Sequence, residues 1–193
     1  MGQNYQRMQQ TSDIILGIDP GTNFMGYGLI RINGKQCDML DMGVLMLHKL
    51  QDPYVKLLHI AKCVNQLCQT FHPTELAIEA PFFGKNVQSM LKLGRAQGVA
   101  IAAAMQNGVR VTEYEPRKIK MAITGNGAAA KEQVAEMIRR YLNIPVELMT
   151  QKLDATDALA AAYCHYIERQ KPFKTGKAQS WKDFLKNNPD KVC

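Results

Sequence analysis

Three features of the sequence predict an α/β protein built on a mixed five-stranded sheet flanked by helices. Short apolar runs rich in β-branched residues follow one another at the start of the chain, which predicts three antiparallel strands. Longer segments with apolar residues at helical spacing then alternate with two more short apolar runs, which predicts helices crossing between further strands. Two of the short runs end on a carboxylic acid, a costly residue to bury unless something pairs with it.

The first run, Ile14, Ile15, Leu16 and Ile18, ends at Asp19, and Pro20-Gly21 turns the chain. Taken alone, Asp19 equally suits a backbone cap of that turn. Residues 26–32 form the second strand, Asn33-Gly34 signals a hairpin, and Met39 to Leu47 form a third strand interrupted near Asp41 and Gly43. Pro53 opens a helix whose Leu57, Ile60, Ala61, Val64, Leu67, Cys68 and Phe71 share one face. Pro73 closes it, and Leu76-Ala77-Ile78 is a strand ending on Glu79.

Residues 80–88 form a loop in which Phe82 and Phe83 stand beside Lys85; adjacent rings cannot both enter one core, and an exposed ring next to a cation suits stacking on an unpaired base. The helix that follows carries Gly94, Gly98 and Ala102 four residues apart, a small-residue stripe expected to pack on its own sheet, with a subunit contact as the second reading. Residues 109–113 form the fifth strand. Arg117, Lys118 and Lys120 come next, then the hinge Gly125-Asn126-Gly127 and a helix from Lys131 to Tyr141; this basic cluster beside a glycine-rich turn suits a phosphate backbone. The last helix opens with Asp154 and Asp157, three residues apart on one face, and Ala158, Ala161 and Ala162 let it approach a sheet closely.

Residues 1–12 are expected to be a disordered extension, 13–170 the folded domain, and 171–193 a basic tail. No window has the long uncharged apolar run of a membrane span, and the first twelve residues are too polar for a signal peptide. Position 6 is Gln, which argues against myristoylation at Gly2. The five cysteines, Cys37, Cys63, Cys68, Cys164 and Cys193, include no CxxC pair and read as reduced cytoplasmic thiols. Four histidines scattered singly make a zinc site improbable. The 24 Lys and Arg against 17 Asp and Glu give +7, which favours a polyanionic partner. A phosphate-binding P-loop fails because Tyr27 stands where that motif needs lysine.

Acids after the first and fourth strands and two more on a late helix suit hard divalent cations, a pair of which activates a water and stabilises the leaving oxygen of a phosphodiester. From about Ile14 to Ile167 the chain resembles the RuvC Holliday junction resolvases of the ribonuclease H-like superfamily. The resemblance rests on Ile-Leu-Gly-Ile-Asp19-Pro-Gly-Thr with Gly26-Tyr27-Gly28, on Ala-Ile-Glu79, on Lys85-Asn86, on Leu-Lys-Leu-Gly94-Arg-Ala-Gln-Gly98-Val-Ala, and on Asp154-Ala-Thr-Asp157-Ala-Leu-Ala. It implies a ribonuclease H-like fold and a homodimer that nicks two strands of a four-way DNA junction symmetrically with Mg²⁺, two ions per site, with Mn²⁺ as a substitute. It also implies RuvA and RuvB as partners in recombination and repair. Carried over by position, Asp19, Glu79, Asp154 and Asp157 are the catalytic metal-binding acids, with Asp154 the least fixed because some members have His there. Phe82 is the aromatic at the opened junction centre, and Lys85, Lys120 and Lys131 are DNA-binding residues. The rivals are a small YqgF-type nuclease of ribosomal RNA precursors and a non-catalytic junction-binding module; the first would lack the Phe82-Lys85-Asn86 loop and the second would have lost acids. An actin-like ATPase needs two such domains.

Overall fold

The computed structural model describes residues 13–81, 86–149 and 153–171. The elements run β1 (Asp13–Asp19), β2 (Phe24–Asn33), β3 (Gln36–Met46), α1 (Pro53–Phe71), β4 (Glu75–Glu79), α2 (Val87–Gln106), β5 (Arg110–Tyr114), α3 (Pro116–Thr124), α4 (Lys131–Tyr141), α5 (Val146–Met149) and α6 (Leu153–Gln170). The strands form one sheet in the order β3-β2-β1-β4-β5. β1 to β3 are antiparallel, whereas β4 pairs parallel with both β1 and β5. The expected mixed sheet is what forms, and its fold is ribonuclease H-like.

Alternation along the central strands sorts the core into two layers. Ile14, Leu16 and Ile18 of β1 and Leu76 and Ile78 of β4 pack with α1 and α2 through Ile60, Val64, Ala96 and Ala100. Ile15 and Ala77 pack on the other face with α3, α4 and α6 through Ile119, Ile138, Ala155 and Leu159. The same period of two puts Asp13, Gly17 and Asp19 on the side of Ile15, and Glu75 and Glu79 on the side of Ala77. Both ends of both strands therefore present acids to the layer containing α6.

That helix lies unusually close to the sheet. A Cβ added at Gly17 would stand 2.0 Å from the Ala158 carbonyl oxygen, and one at Gly26 would stand 1.9 Å from that of Asp154. Glycine on the strands and alanine on the helix together bring the first turn of α6 to the end of β1.

Three expectations about local structure are corrected. The hairpin turn is centred on Gly34 and Lys35, because Asn33 pairs with Gln36; Gly34 alone takes positive φ (62°), as a glycine in the first central position does. β3 runs on through Asp41 and Gly43, with only a register shift that leaves Leu40 unpaired. Asp41 stays in the strand because its Oδ1 accepts the Met42 amide at 2.8 Å, and the Tyr27 ring covers Gly43. Finally, the stripe on α2 does not face the sheet. The buried face of α2 is Ala96, Gln97, Ala100, Ala103 and Ala104, and a Cβ at Gly94 or Gly98 would meet nothing within 4 Å.

Four cysteines are free, with Cys68 and Cys164 buried, as core filler should be; Cys193 lies outside the described residues. Burial pushes the thiol of Cys68 up to about 11 and those of Cys37 and Cys164 up to about 12, so they stay protonated and unreactive. Among the described residues no helix is long and apolar enough to cross a membrane.

Candidate active site

Asp19 closes β1, and the register Ile18 to Ile78 sets Glu79 beside it at the end of the parallel neighbour β4. Asp154 and Asp157 enter from the first turn of α6. Carboxylate oxygens of Asp19, Asp154 and Asp157 all lie within 4.8 Å of one another. Glu79 stands outside that trio but near enough that Asp19 feels its charge and it feels that of Asp157. The four sequence-predicted acids thus converge on one end of the sheet.

Asp19, Glu79 and Asp157 open on a cleft of about 680 Å³ whose walls also include Arg117, Lys120 and Lys131. Burial, then the like charges of Glu79 and Asp157, push the Asp19 carboxyl up to about 8. Burial and Asp157 push Glu79 up to about 7, against the opposing pull of Lys131 and Lys120. Lys131 Nζ lies 2.6 Å from Asp157 Oδ2, and that hydrogen bond holds the lysine above its ordinary range. Lys120, on α3, carries no ion pair among the described residues. Hard carboxylate oxygens from three elements fit Mg²⁺ or Mn²⁺, and no soft ligand is among them.

Phe82 and Lys85 lie outside the described residues. The sequence reading missed Gln97. This residue is 6% exposed on α2, and its Nε2 donates to Glu113 Oε2 at 2.9 Å and to the Glu79 carbonyl at 3.3 Å. A single glutamine among the alanines of a buried helical face was the available signal. It fixes the backbone that carries Glu79.

A mixed sheet in this order, with acids of two parallel strands facing acids of a closely packed helix, defines a ribonuclease H-like nuclease scaffold. The family model for crossover junction endodeoxyribonuclease RuvC matches residues 15–165. A RuvC crossover junction endodeoxyribonuclease of Bacteroides fragilis is 56% identical over 93% of this chain and 95% of its own. Another, of Porphyromonas gingivalis, is 53% identical over 96% of this chain and 100% of its own. Thermus thermophilus RuvC, solved in complex with Holliday junction substrate, superposes with a TM-score of 0.75 at 30% identity, covering 81% of this chain and 94% of that one. The chain belongs to the RuvC family of crossover junction endodeoxyribonucleases.

Proposed function

We propose that this chain resolves four-way DNA junctions by nicking two opposed strands symmetrically, as a Mg²⁺-dependent homodimer. The observation that carries the reading is the convergence of Asp19, Asp154 and Asp157 within 4.8 Å, with Glu79 beside them. These four acids would hold the cations, which when bound would activate a water and stabilise the leaving oxygen of the phosphodiester. Mg²⁺ is the expected ion and Mn²⁺ its substitute, two per site. Holding them requires Asp19 and Glu79 to give up protons that burial otherwise retains.

Lys131 offsets the charge of Asp157 and orients it through their 2.6 Å contact. Lys120 reaches the same cleft and contacts the phosphate. Phe82 stacks at the opened junction centre, and Lys85 binds the DNA. Two copies of one site are needed for symmetric nicks, and α2 offers the contact. Its Val87, Leu91 and Met105 are 64%, 52% and 61% exposed along the same side as Gly98, which has open space above it. The protein acts in the cytoplasm on recombination and repair intermediates, with RuvA and RuvB as branch-migration partners.

The test incubates the protein with synthetic four-way junctions and with linear duplex, in Mg²⁺, Mn²⁺ or EDTA, and maps the nicks. Paired nicks at symmetric positions of the junction, absent in EDTA and on duplex, are expected. Equal cutting of linear duplex, or of structured RNA added as a third substrate, would overturn the reading. Sedimentation should give a dimer that Gly98→Leu weakens while the circular dichroism of the fold is retained; a wild-type monomer both free and on junction DNA would remove the homodimer.

A further inference from the structure

A second depression of about 380 Å³ opens at the same end of the sheet, on the α1 and α2 side. It is lined by Thr22 and Asn23 of the β1–β2 turn, Lys56 of α1, and Ser89, Lys92 and Arg95 of α2. No residue lines both cavities, but two elements contribute neighbouring residues to each. Pro20 lines the acid cleft, whereas Thr22 and Asn23, on the same turn, line the groove. Leu93 lines the cleft, whereas Lys92 and Arg95 on either side of it line the groove. Their chemistry is opposite, for the groove has three cations and no carboxylate along its walls.

Lys56 is engaged, its Nζ donating to the Thr22 carbonyl at 3.2 Å, so it ties the turn of the acid site to α1. Lys92 and Arg95 are exposed and pair with no carboxylate among the described residues. In a chain of net charge +7 with ion pairs elsewhere, two unpaired cations beside hydroxyl and amide donors favour an anion. The Pro20–Asn23 turn is the element that a strand would cross in passing from the acid cleft to the groove.

We propose that this groove is a phosphate-binding subsite for the backbone of the cut strand next to the scissile phosphate, with Lys92 and Arg95 as its contacts. The inference rests on the junction-cleaving reading of the acid cleft and adds to it where the flanking nucleotides are held. Phosphate contacts fix the register of the strand without reading its sequence. The groove would therefore position the scissile bond over the acids rather than select bases.

The test measures binding of the full chain to a synthetic four-way junction in Ca²⁺, across a salt series, for wild type and for the double variant Lys92→Gln/Arg95→Gln. Each lost phosphate contact flattens the slope of log affinity against log salt by about 0.9, so a slope shallower by nearly 2 and an affinity down by about tenfold or more near 0.1 M salt are expected. A control, Arg31→Gln/Lys35→Gln, removes the same charge at the β2–β3 hairpin, the end of the sheet away from the groove, and should change the slope little. A retained gain in melting temperature with Mn²⁺ and a retained dimer mass show that fold and assembly are intact in both. An unchanged slope, an equal change in the control, or loss of binding that tracks dissociation of the dimer would overturn the subsite.

A second arm replaces single phosphates flanking the scissile one by neutral methylphosphonates. Wild type should lose affinity at one or two adjacent positions where the double variant loses none; equal losses in both proteins at every position would overturn the proposal. If wild type itself neither binds nor nicks junctions, the reading of the acid cleft fails and the subsite falls with it. If wild type nicks junctions and the variant keeps its salt slope, the subsite alone is wrong.

Discussion

Asp13 and Asp19 stand at the two ends of β1, Glu75 and Glu79 at the two ends of β4, and all four belong to the face covered by the layer of α6. At the lower end α6 supplies His165 and Arg169. His165 Nε2 lies 2.8 Å from Glu75 Oε2 and its Nδ1 2.7 Å from the Tyr114 hydroxyl. Arg169 bridges Glu75, at 3.0 Å, and Asp13, at 2.5 Å, while Arg110 reaches Glu75 at 2.6 Å. At the upper end the same helix supplies two more acids, and only Lys131 makes a direct ion pair there among the described residues. One end of a single packing interface is neutralised by side chains, and the other is left in need of cations. The backbone layout is common to both, so the difference is chemical: one end is built to hold the layers together and the other to hold something absent from the chain.

The widest separation between the ends should appear in activity. If the proposed site holds the cations, Asp19→Asn and Glu79→Gln should each lose several kcal/mol of transition-state stabilisation, roughly 10³-fold or more in nicking rate. Junction binding should persist. Glu75→Gln, at the other end, should nick junctions at close to the wild-type rate below its melting point. A variant of Asp19 that still cuts would make the upper acids structural.

Stability should separate the ends in the reverse sense. Glu75→Gln leaves His165, Arg110 and Arg169 around a neutral amide, and breaking a largely buried ionic network costs on the order of 3 kcal/mol. Thermal melting should fall by several degrees. No change would mean that the network is only a rim of solvated charges.

Acid and base should act oppositely on the two ends. Burial alone would raise the Asp13 carboxyl, but the hydrogen bonds of Arg169 and Thr74 and the charges of Arg169 and Arg110 outweigh it and hold it below its ordinary range. The stability Asp13 contributes is therefore present above the unfolded value of about 4 and lost as pH falls through the lower folded value. Asp19 is raised from 3.8 to about 8, so between those values the folded chain keeps a proton that the unfolded chain has released. Its part of the stability is intact below about pH 4 and is lost as pH rises to about 8. Melting in EDTA should decline from pH 5 to pH 8.5, and Asp19→Asn should flatten that decline.

The acid end was legible in the sequence because each of its residues sits at a visible boundary: Asp19 before Pro20-Gly21, Glu79 after Leu76-Ala77-Ile78, Asp154 and Asp157 ahead of an alanine-rich helix. The paired end was not. Glu75 and His165 are 90 residues apart, and each alone is an ordinary polar residue whose partner only the folded sheet supplies. The stripe on α2 was visible but its direction was not, since periodicity shows that a face exists and not which layer it meets. The hairpin was found one residue early because Asn33-Gly34 favours positive φ at both residues, and strand pairing kept Asn33 in the ladder.

The most direct test of the contrast is the melting temperature of Asp19→Asn against wild type in EDTA at pH 8. Mutual repulsion of like charges a few ångström apart is worth about 1 kcal/mol per pair in water and about 4 at an effective dielectric of 20. Removing one such charge should therefore stabilise the cation-free protein by on the order of 1–2 kcal/mol, raising its melting temperature by a few degrees, and should reduce the further gain that Mg²⁺ gives wild type. A variant that melts below wild type in EDTA, as Glu75→Gln should, would contradict the account: the two ends would then be the same kind of structure.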